Sequence, residues 1–344
     1  MRYYKKGEYD AAIEDMTKAL DLNPDNAEAY KHRGLAYQSK GDYDRAIEDY
    51  TKAIQLNPND ANAYNYCGGA YYHKNEYDDA IKDFNTAIEL DRDNVIAYIY
   101  RGMTYGVKSE YDNALQDYTK AIELWPNRFQ LYLSRGVVYD QKGEYDHAIE
   151  DATTALELDP DNVEAYTYRG LAYRSKGEYE PAIEDFNRAI QLNPDYTDAY
   201  NYRGMAHGLN GAIERTIEDF NKAIELDPSF VNAYYNRGII YGVKGEVDRA
   251  IEDFNKAIEL DPSYANAYYN RSVAYRVKGK VDRANEDHNR AIQLNPDYAD
   301  IYDNHEMSWL DLDISEETRS DCSESENIPT EDLLEEITSR LIAA

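Results

Sequence analysis

From Ala27 to Asp60 the apolar and small residues fall in two helical phases. Tyr30, Gly34 and Tyr37 stand at i, i+4 and i+7, one face of a helix with a period of about 3.6 residues. Gly41 stops this first helix. Ala46, Tyr50 and Ala53 repeat the spacing in a second, whose opening turn carries Asp42 and Asp44, acids suited to the positive end of a helix dipole. Asn57-Pro58 ends it, because proline cannot continue a helix and restricts the residue before it. Gly34 and Ala46 are small where the two helices would cross closely, which leaves room for the tyrosines beside them. One such pair cannot bury its own apolar face and must stack on others.

The others are in the sequence. Residues 41–60 read GDYDRAIEDYTKAIQLNPND, residues 143–162 read GEYDHAIEDATTALELDPDN, and residues 245–264 read GEVDRAIEDFNKAIELDPSY. Pro24, Pro58, Pro126, Pro160, Pro194, Pro228, Pro262 and Pro296 are spaced by 34 residues, with one gap of 68 where Arg92 replaces the proline. The pattern predicts an all-α solenoid. Eight full helix pairs are expected at 27–60, 61–94, 95–128, 129–162, 163–196, 197–230, 231–264 and 265–298. A partial pair precedes them at 1–26, and a capping helix over 299–310 follows, with Tyr302 and Trp309 at the places of Tyr30 and Tyr37. Below, Ala27 is position 1 of its repeat and Asp60 position 34.

Tyr30, Arg33, Gly34, Tyr37, Ala46, Tyr50, Ala53 and Pro58 resemble the consensus of the tetratricopeptide repeat (TPR), W-x2-L-G-x2-Y…A-x3-F…P over 34 residues. The resemblance covers residues 1 to roughly 310. It implies antiparallel helix pairs stacked into a right-handed superhelix with a concave groove. It also implies a scaffold or adaptor, the commonest role of that family.

Two positions depart from the pattern. Position 7 is arginine in seven repeats: Arg33, Arg101, Arg135, Arg169, Arg203, Arg237 and Arg271. Position 23 is aspartate in all nine second helices, from Asp15 and Asp49 to Asp253 and Asp287. Both positions border the apolar face. A charged ligand site is one reading; a ladder of Arg–Asp pairs is the expected one, since half-buried arginine is normally paired and a bidentate contact with carboxylate suits such a place. Cys67 holds position 7 of the second repeat, so Asp83 is expected to lack an arginine. The four carboxylates of residues 41–60 then divide by role: Asp42 and Asp44 favour the helix start, Asp49 pairs, and Glu48 faces water.

The ends are irregular. In the last full repeat Ser272 replaces glycine, Asn285 replaces isoleucine and His288 replaces the aromatic, as expected of a terminal repeat. Met1 falls at position 9, in the middle of a first helix, which suggests a truncated chain or a late start, with any signal peptide or upstream domain lost from view. Residues 311–344 read as an acidic, mostly disordered tail, with a weak phosphorylation pattern at Thr318 and Ser323. Within it 330–342 suits a short amphipathic helix, capped by Thr330, with Leu333, Leu334, Ile337 and Leu341 on one side. A loosely packed tail helix is the expectation; a docking helix or groove plug is the alternative.

Composition narrows the function. A net charge of −30 disfavours nucleic acid and anionic membranes, whose phosphates are bound through Lys and Arg. Neither a membrane span nor a signal peptide is visible, and a cytoplasmic protein is expected. The two cysteines, Cys67 and Cys322, make no disulfide framework or thiolate metal site. The six histidines occupy six different repeat positions and form no H-E-x-x-H. No nucleophile stands beside a base at a recognisable spacing. The chain is therefore expected to be no enzyme, with no catalytic residue, cofactor or metal.

At about 100° per residue, positions 4, 8 and 11 make the core face of the first helix and positions 2, 6, 9 and 13 the opposite one. By the TPR resemblance this second face lines the groove. Position 6 offers Tyr66, Tyr100, Tyr168 and Tyr202, flat rings with a hydroxyl that are favoured at interfaces. Asn62 stands at position 2. Asn232, Asn236, Asn266 and Asn270 fall at positions 2 and 6 of adjacent repeats, where amides could hold a peptide backbone. They resemble the asparagine ladder of glycosyltransferase TPR arms, though only two repeats carry it; ordinary exposed asparagines are the alternative. The expected groove residues are thus Asn62, Tyr66, Tyr100, Tyr168, Tyr202, Asn232, Asn236, Asn266 and Asn270. Position 9 is apolar in most repeats (Leu35, Met103, Val137, Leu171, Met205, Ile239, Val273), which suits either a groove or packing between neighbouring first helices. TPR chaperone adaptors grip an EEVD-type carboxylate with lysine, asparagine and arginine. Here positions 2 and 6 hold no Lys or Arg and position 9 no Asn, so that partner is disfavoured. The expected partner is a protein or peptide, as an extended and basic or uncharged segment. The expected function is an interaction scaffold; the alternative is the arm of a larger glycosyltransferase-like enzyme or of an envelope or secretion assembly.

Overall fold

A computed structural model of the chain describes residues 9–296 and residue 298. The described residues form seventeen α-helices and no strand. They belong to two compact units, within Met1–Pro160 and Asp161–Ala344. The first contains α1 (Tyr9–Leu22), α2 (Ala27–Ser39), α3 (Tyr43–Leu56), α4 (Ala61–His73), α5 (Tyr77–Leu90), α6 (Val95–Val107), α7 (Tyr111–Leu124), α8 (Phe129–Gln141) and α9 (Tyr145–Leu158). The second contains α10 (Val163–Ser175), α11 (Tyr179–Leu192), α12 (Thr197–Leu209), α13 (Ile213–Leu226), α14 (Val231–Val243), α15 (Val247–Leu260), α16 (Ala265–Val277) and α17 (Val281–Leu294). Every first helix has 13 residues and every second helix 14. The expected capping helix 299–310, the tail with Thr318, Cys322 and Ser323, and the helix 330–342 lie outside the described residues.

Within each unit every helix packs on the next, and successive first helices also pack side by side: α2, α4 and α6 in one unit, α10, α12, α14 and α16 in the other. The turn inside a repeat passes through a left-handed residue at position 15. Gly41 sits at φ 78° and Gly245 at φ 75°, a conformation that costs glycine little. Asn75 and Ser109 hold the same place at φ 62° and 58°.

The first helices start in two ways. Asn26, Asp60 and Asn94 accept a backbone N–H of α2, α4 and α6 on their side-chain oxygens. Tyr196, Phe230 and Tyr264 precede α12, α14 and α16 and make no such bond.

Inside six of the repeats the ring at position 24 lies on the glycine at position 8. Tyr50, Phe84, Phe186, Phe220 and Phe254 are fully buried there. A Cβ on Gly34 would stand 2.6 Å from the Tyr50 ring, and one on Gly238 2.8 Å from the Phe254 ring. Ala152 replaces the ring in the fourth repeat, and a Cβ on Gly136 would meet nothing closer than 3.4 Å. Gly238→Ala is therefore expected to destabilise by about 1–3 kcal/mol through overpacking. Gly136→Ala is expected to stabilise by about 0.5–1 kcal/mol through helix propensity. Urea unfolding of the two variants checks both signs.

The core face differs from the expected one. Positions 3, 8 and 10 are buried, as with Ala29, Gly34 and Ala36 or Ala165, Gly170 and Ala172, while Tyr30 and Tyr37 at positions 4 and 11 are half-buried. Close approach at position 8 centres the contact on the small residues. The tyrosines are left flanking the arginine at position 7; Arg237 lies 5.7 Å from the Tyr234 ring centroid and 5.8 Å from that of Tyr241.

Candidate interaction surface

The strongest charges are engaged within the fold. Arg33 donates from Nε to Asp49 Oδ2 at 2.8 Å and from Nη2 to Oδ1 at 2.7 Å. The same fork joins Arg101 to Asp117, Arg135 to Asp151, Arg169 to Asp185, Arg203 to Asp219, Arg237 to Asp253 and Arg271 to Asp287. The arginines are thus ladder members and not an open ligand site. A third bond was not anticipated. Nη1 reaches position 25 of the preceding repeat, as Arg33 to Thr17, Arg101 to Asn85, Arg135 to Thr119, Arg203 to Asn187, Arg237 to Asn221 and Arg271 to Asn255, at 2.5–3.2 Å. Each of these arginines therefore ties two repeats together. The signal was in the sequence, where position 25 is always threonine or asparagine.

Asp83 has no arginine. It accepts a hydrogen bond from the Cys67 thiol, and burial pushes its carboxyl above the usual range. Burial likewise pushes the Cys67 thiol well up, so it stays protonated. A second, exposed set of charges links the turns: Lys74 bridges Asp44 at 2.8 Å and Glu76 at 2.7 Å, Lys108 meets Asp78 at 2.6 Å, and Lys142 meets Asp112 at 2.8 Å. Among the described residues no group of three or more His, Cys, Asp or Glu is placed to hold a metal, and no helix is long and apolar enough to cross a membrane.

In the first unit, α6 carries an apolar stripe at positions 2, 6, 9 and 13. Ile96 is 42% exposed, Val107 is 52% exposed, and Tyr100 and Met103 between them are half-buried. Tyr100 stacks on Phe84, with centroids 5.9 Å apart. On neighbouring α4, Asn62 is exposed and half-buried Tyr66 lies 5.8 Å from Tyr50. In both cases the ring at position 6 leans on the buried ring of the preceding repeat, which fixes its orientation.

In the second unit, Tyr168 is 41% exposed, and half-buried Tyr202 lies 6.0 Å from Phe186. Met205 and Ile239 at position 9 are buried, packed with neighbouring helices.

The asparagines require a correction. Asn236 is 3% exposed and donates to Asn201 Oδ1 at 3.0 Å. Asn270 is 5% exposed and donates to Tyr235 Oη at 3.1 Å and to the Asn266 carbonyl at 3.0 Å. Asn232 is exposed and accepts from Tyr264 Oη at 3.4 Å; half-buried Asn266 accepts from Tyr298 Oη at 2.5 Å. Position 6 is held by position 5 of the preceding first helix, Asn201 and Tyr235, and position 2 by the aromatic residue at position 34. Tyr264 packs on Tyr235 and Tyr298 on Tyr269, with centroids 5.0 and 4.8 Å apart, and their hydroxyls reach position 2. Asn236 and Asn270 are thus buried side chains and do not offer their amides to a peptide backbone.

A family model described as tetratricopeptide repeat matches residues 27–60, 95–128, 129–162 and 231–264. A model described as TPR repeat matches 2–41, 68–106, 170–211 and 209–243, and a further tetratricopeptide repeat model matches 152–184 and 254–284. The chain belongs to the tetratricopeptide repeat family. Among solved structures, a TPR protein from Parabacteroides merdae is 23% identical, covering 75% of this chain and 98% of that one with a TM-score of 0.60. The C-terminal part of a TPR repeat-containing protein from Cytophaga hutchinsonii is 21% identical, covering 68% and 96% with a TM-score of 0.53. Both share the fold. None of the curated proteins compared with the chain matches it. The TPR consensus places leucine at position 7. This TPR chain replaces an apolar contact there with a buried charge pair, so its repeats are joined by directional bonds as well as by packing.

Proposed function

We propose that this TPR chain is a protein-interaction scaffold that holds an extended segment of a partner protein along its first helices. The observation that supports this most directly is the α6 stripe of Ile96, Tyr100, Met103 and Val107, apolar residues left in contact with water. Contiguous exposed apolar surface is characteristic of interaction sites. Rigidly held tyrosines bind with little loss of side-chain entropy, and Tyr66 and Tyr100 are held in this way by Tyr50 and Phe84. The net charge of −30 favours a segment with basic flanks. The alternative of a glycosyltransferase-like arm drew on the asparagine pattern, and the burial of Asn236 and Asn270 removes that support.

The test is a photo-crosslinking amino acid at position 100, with a second at exposed position 252 of α15 as the control. A partner crosslinked only from position 100, and weakened about tenfold or more by Met103→Glu in a variant that keeps its helical circular dichroism, is the expected result. Equal crosslinking from both positions, or none from position 100, would sink the reading.

A further inference from the structure

We infer that Asp198, with Tyr196 and Tyr202 near it in sequence at the start of α12 and Tyr168 on neighbouring α10, is a subsite for a basic side chain, lysine or arginine, of the partner segment. The inference rests on the scaffold reading and adds a chemical preference to it. Asp198 holds position 2 of α12, and Tyr202 follows at i+4 on the same face. Tyr168 holds position 6 of α10, which packs beside α12. Tyr196 immediately precedes α12, and Asp198, Tyr168 and Tyr202 all lie within electrostatic reach of its hydroxyl.

Asp198 is half-buried and is paired with no Lys or Arg among the described residues. This sets it apart from the position-23 aspartates of the second unit, each held by an arginine fork. Burial first, and then the neighbouring Asp227, raise its carboxyl above the ordinary range. Both causes act against the ionised carboxylate, and the attraction of an external cation would offset them. The surrounding rings complete the complementarity, since tyrosine faces attract ammonium and guanidinium groups while a carboxylate accepts their hydrogen bonds. Tyr202 already meets one guanidinium within the fold, that of Arg174, 6.0 Å from its ring centroid.

The probe is a fluorescein-labelled dodecapeptide of alternating leucine and arginine, with a citrulline version as the uncharged control. Binding to the full chain is read by fluorescence anisotropy. Asp198→Asn and Tyr168→Ala are each expected to weaken the arginine peptide about tenfold. Glu252→Gln removes the same charge from the exposed side of α15 and is expected to change it less than twofold. The citrulline peptide is expected to ignore Asp198→Asn. Equal losses with Asp198→Asn and Glu252→Gln would mean bulk attraction to an acidic chain and overturn the subsite. So would a Tyr168→Ala variant, folded by circular dichroism, that binds like the wild type. If position 100 crosslinks a partner and Asp198→Asn leaves the arginine peptide bound as before, the scaffold reading stands and the subsite falls. If the wild type binds neither peptide, the subsite falls, and the crosslinking result alone decides the scaffold.

Discussion

Arg237→Ala is expected to lower stability by about 3–5 kcal/mol, the cost of leaving a buried charge without its partner. Asp253 is buried and takes two bonds from this guanidinium, at 2.8 and 2.6 Å. The variant also frees Asn221 on α13 and removes the cation from between Tyr234 and Tyr241. Replacing both charges, as Arg237→Leu with Asp253→Leu, is expected to recover most of the loss, because a well-packed apolar pair has no desolvation to repay. The loss should also depend on pH. Burial already holds the Asp253 carboxyl above its usual range, and removing the arginine raises it further. A carboxyl with a raised folded pKa contributes stability below its unfolded pKa, and that contribution disappears as pH rises through the folded pKa. The deficit of Arg237→Ala is therefore smaller near about pH 4 than near about pH 7. Urea unfolding at the two pH values, with hydrogen exchange to localise the change to α13–α15, measures it. A deficit under about 1 kcal/mol at neutral pH would place the pair with exposed salt bridges of little worth.

Cys67→Arg is expected to act in the opposite direction. Every other part of the ladder is in place: Asp83 at position 23 and Tyr64 and Tyr71 at positions 4 and 11 of the second repeat, and Thr51 at position 25 of the preceding one. The Asp83 carboxylate has only a thiol donor. A guanidinium placed as in the other repeats would add charge-assisted bonds of about 1.5–3 kcal/mol in total. The sign with pH follows from Asp83, whose carboxyl is raised chiefly by burial. In the wild type its contribution is lost as pH rises through that raised pKa, so the gain from the substitution is small at about pH 4 and largest at neutral pH. Unfolding curves of wild type and variant across this range decide the matter; a variant less stable at neutral pH would show that the second repeat cannot accommodate the larger side chain.

What could be read in advance follows from the period. Arg33 and Asp49 are sixteen residues apart, as are Arg271 and Asp287. A contact present in one repeat recurs wherever the same two residues recur, so the ladder and the exception at Cys67 were both legible. The asparagines were not. A helical wheel places Asn236 on a face of α14 treated alone, yet that face is covered by neighbouring α12, whose Asn201 accepts its hydrogen bond. Asn62 follows Asp60, a residue that caps α4, and is exposed. Asn266 follows Tyr264, whose ring lies on Tyr235, and itself accepts from Tyr298 at the end of its own repeat. Positions 3 and 10 were overlooked for a related reason. Alanine contributes little to an apolar pattern, but it buries completely where glycine at position 8 brings two helices together.

The change of residue at the start of the first helices bears on how the repeats come apart. α2, α4 and α6 carry a bond to their own first turn, a local contribution of about 1 kcal/mol that survives when a neighbour is lost. α14 and α16 begin instead at Phe230 and Tyr264, whose rings pack among residues of earlier helices. Their starts are secure only while those helices are in place. Exchanging a cap for a ring thus transfers stability from the single repeat to the junction between repeats. In a linear array the ratio of those two terms sets cooperativity: repeats that begin with Asn or Asp can open singly, and those that begin with an aromatic ring open together.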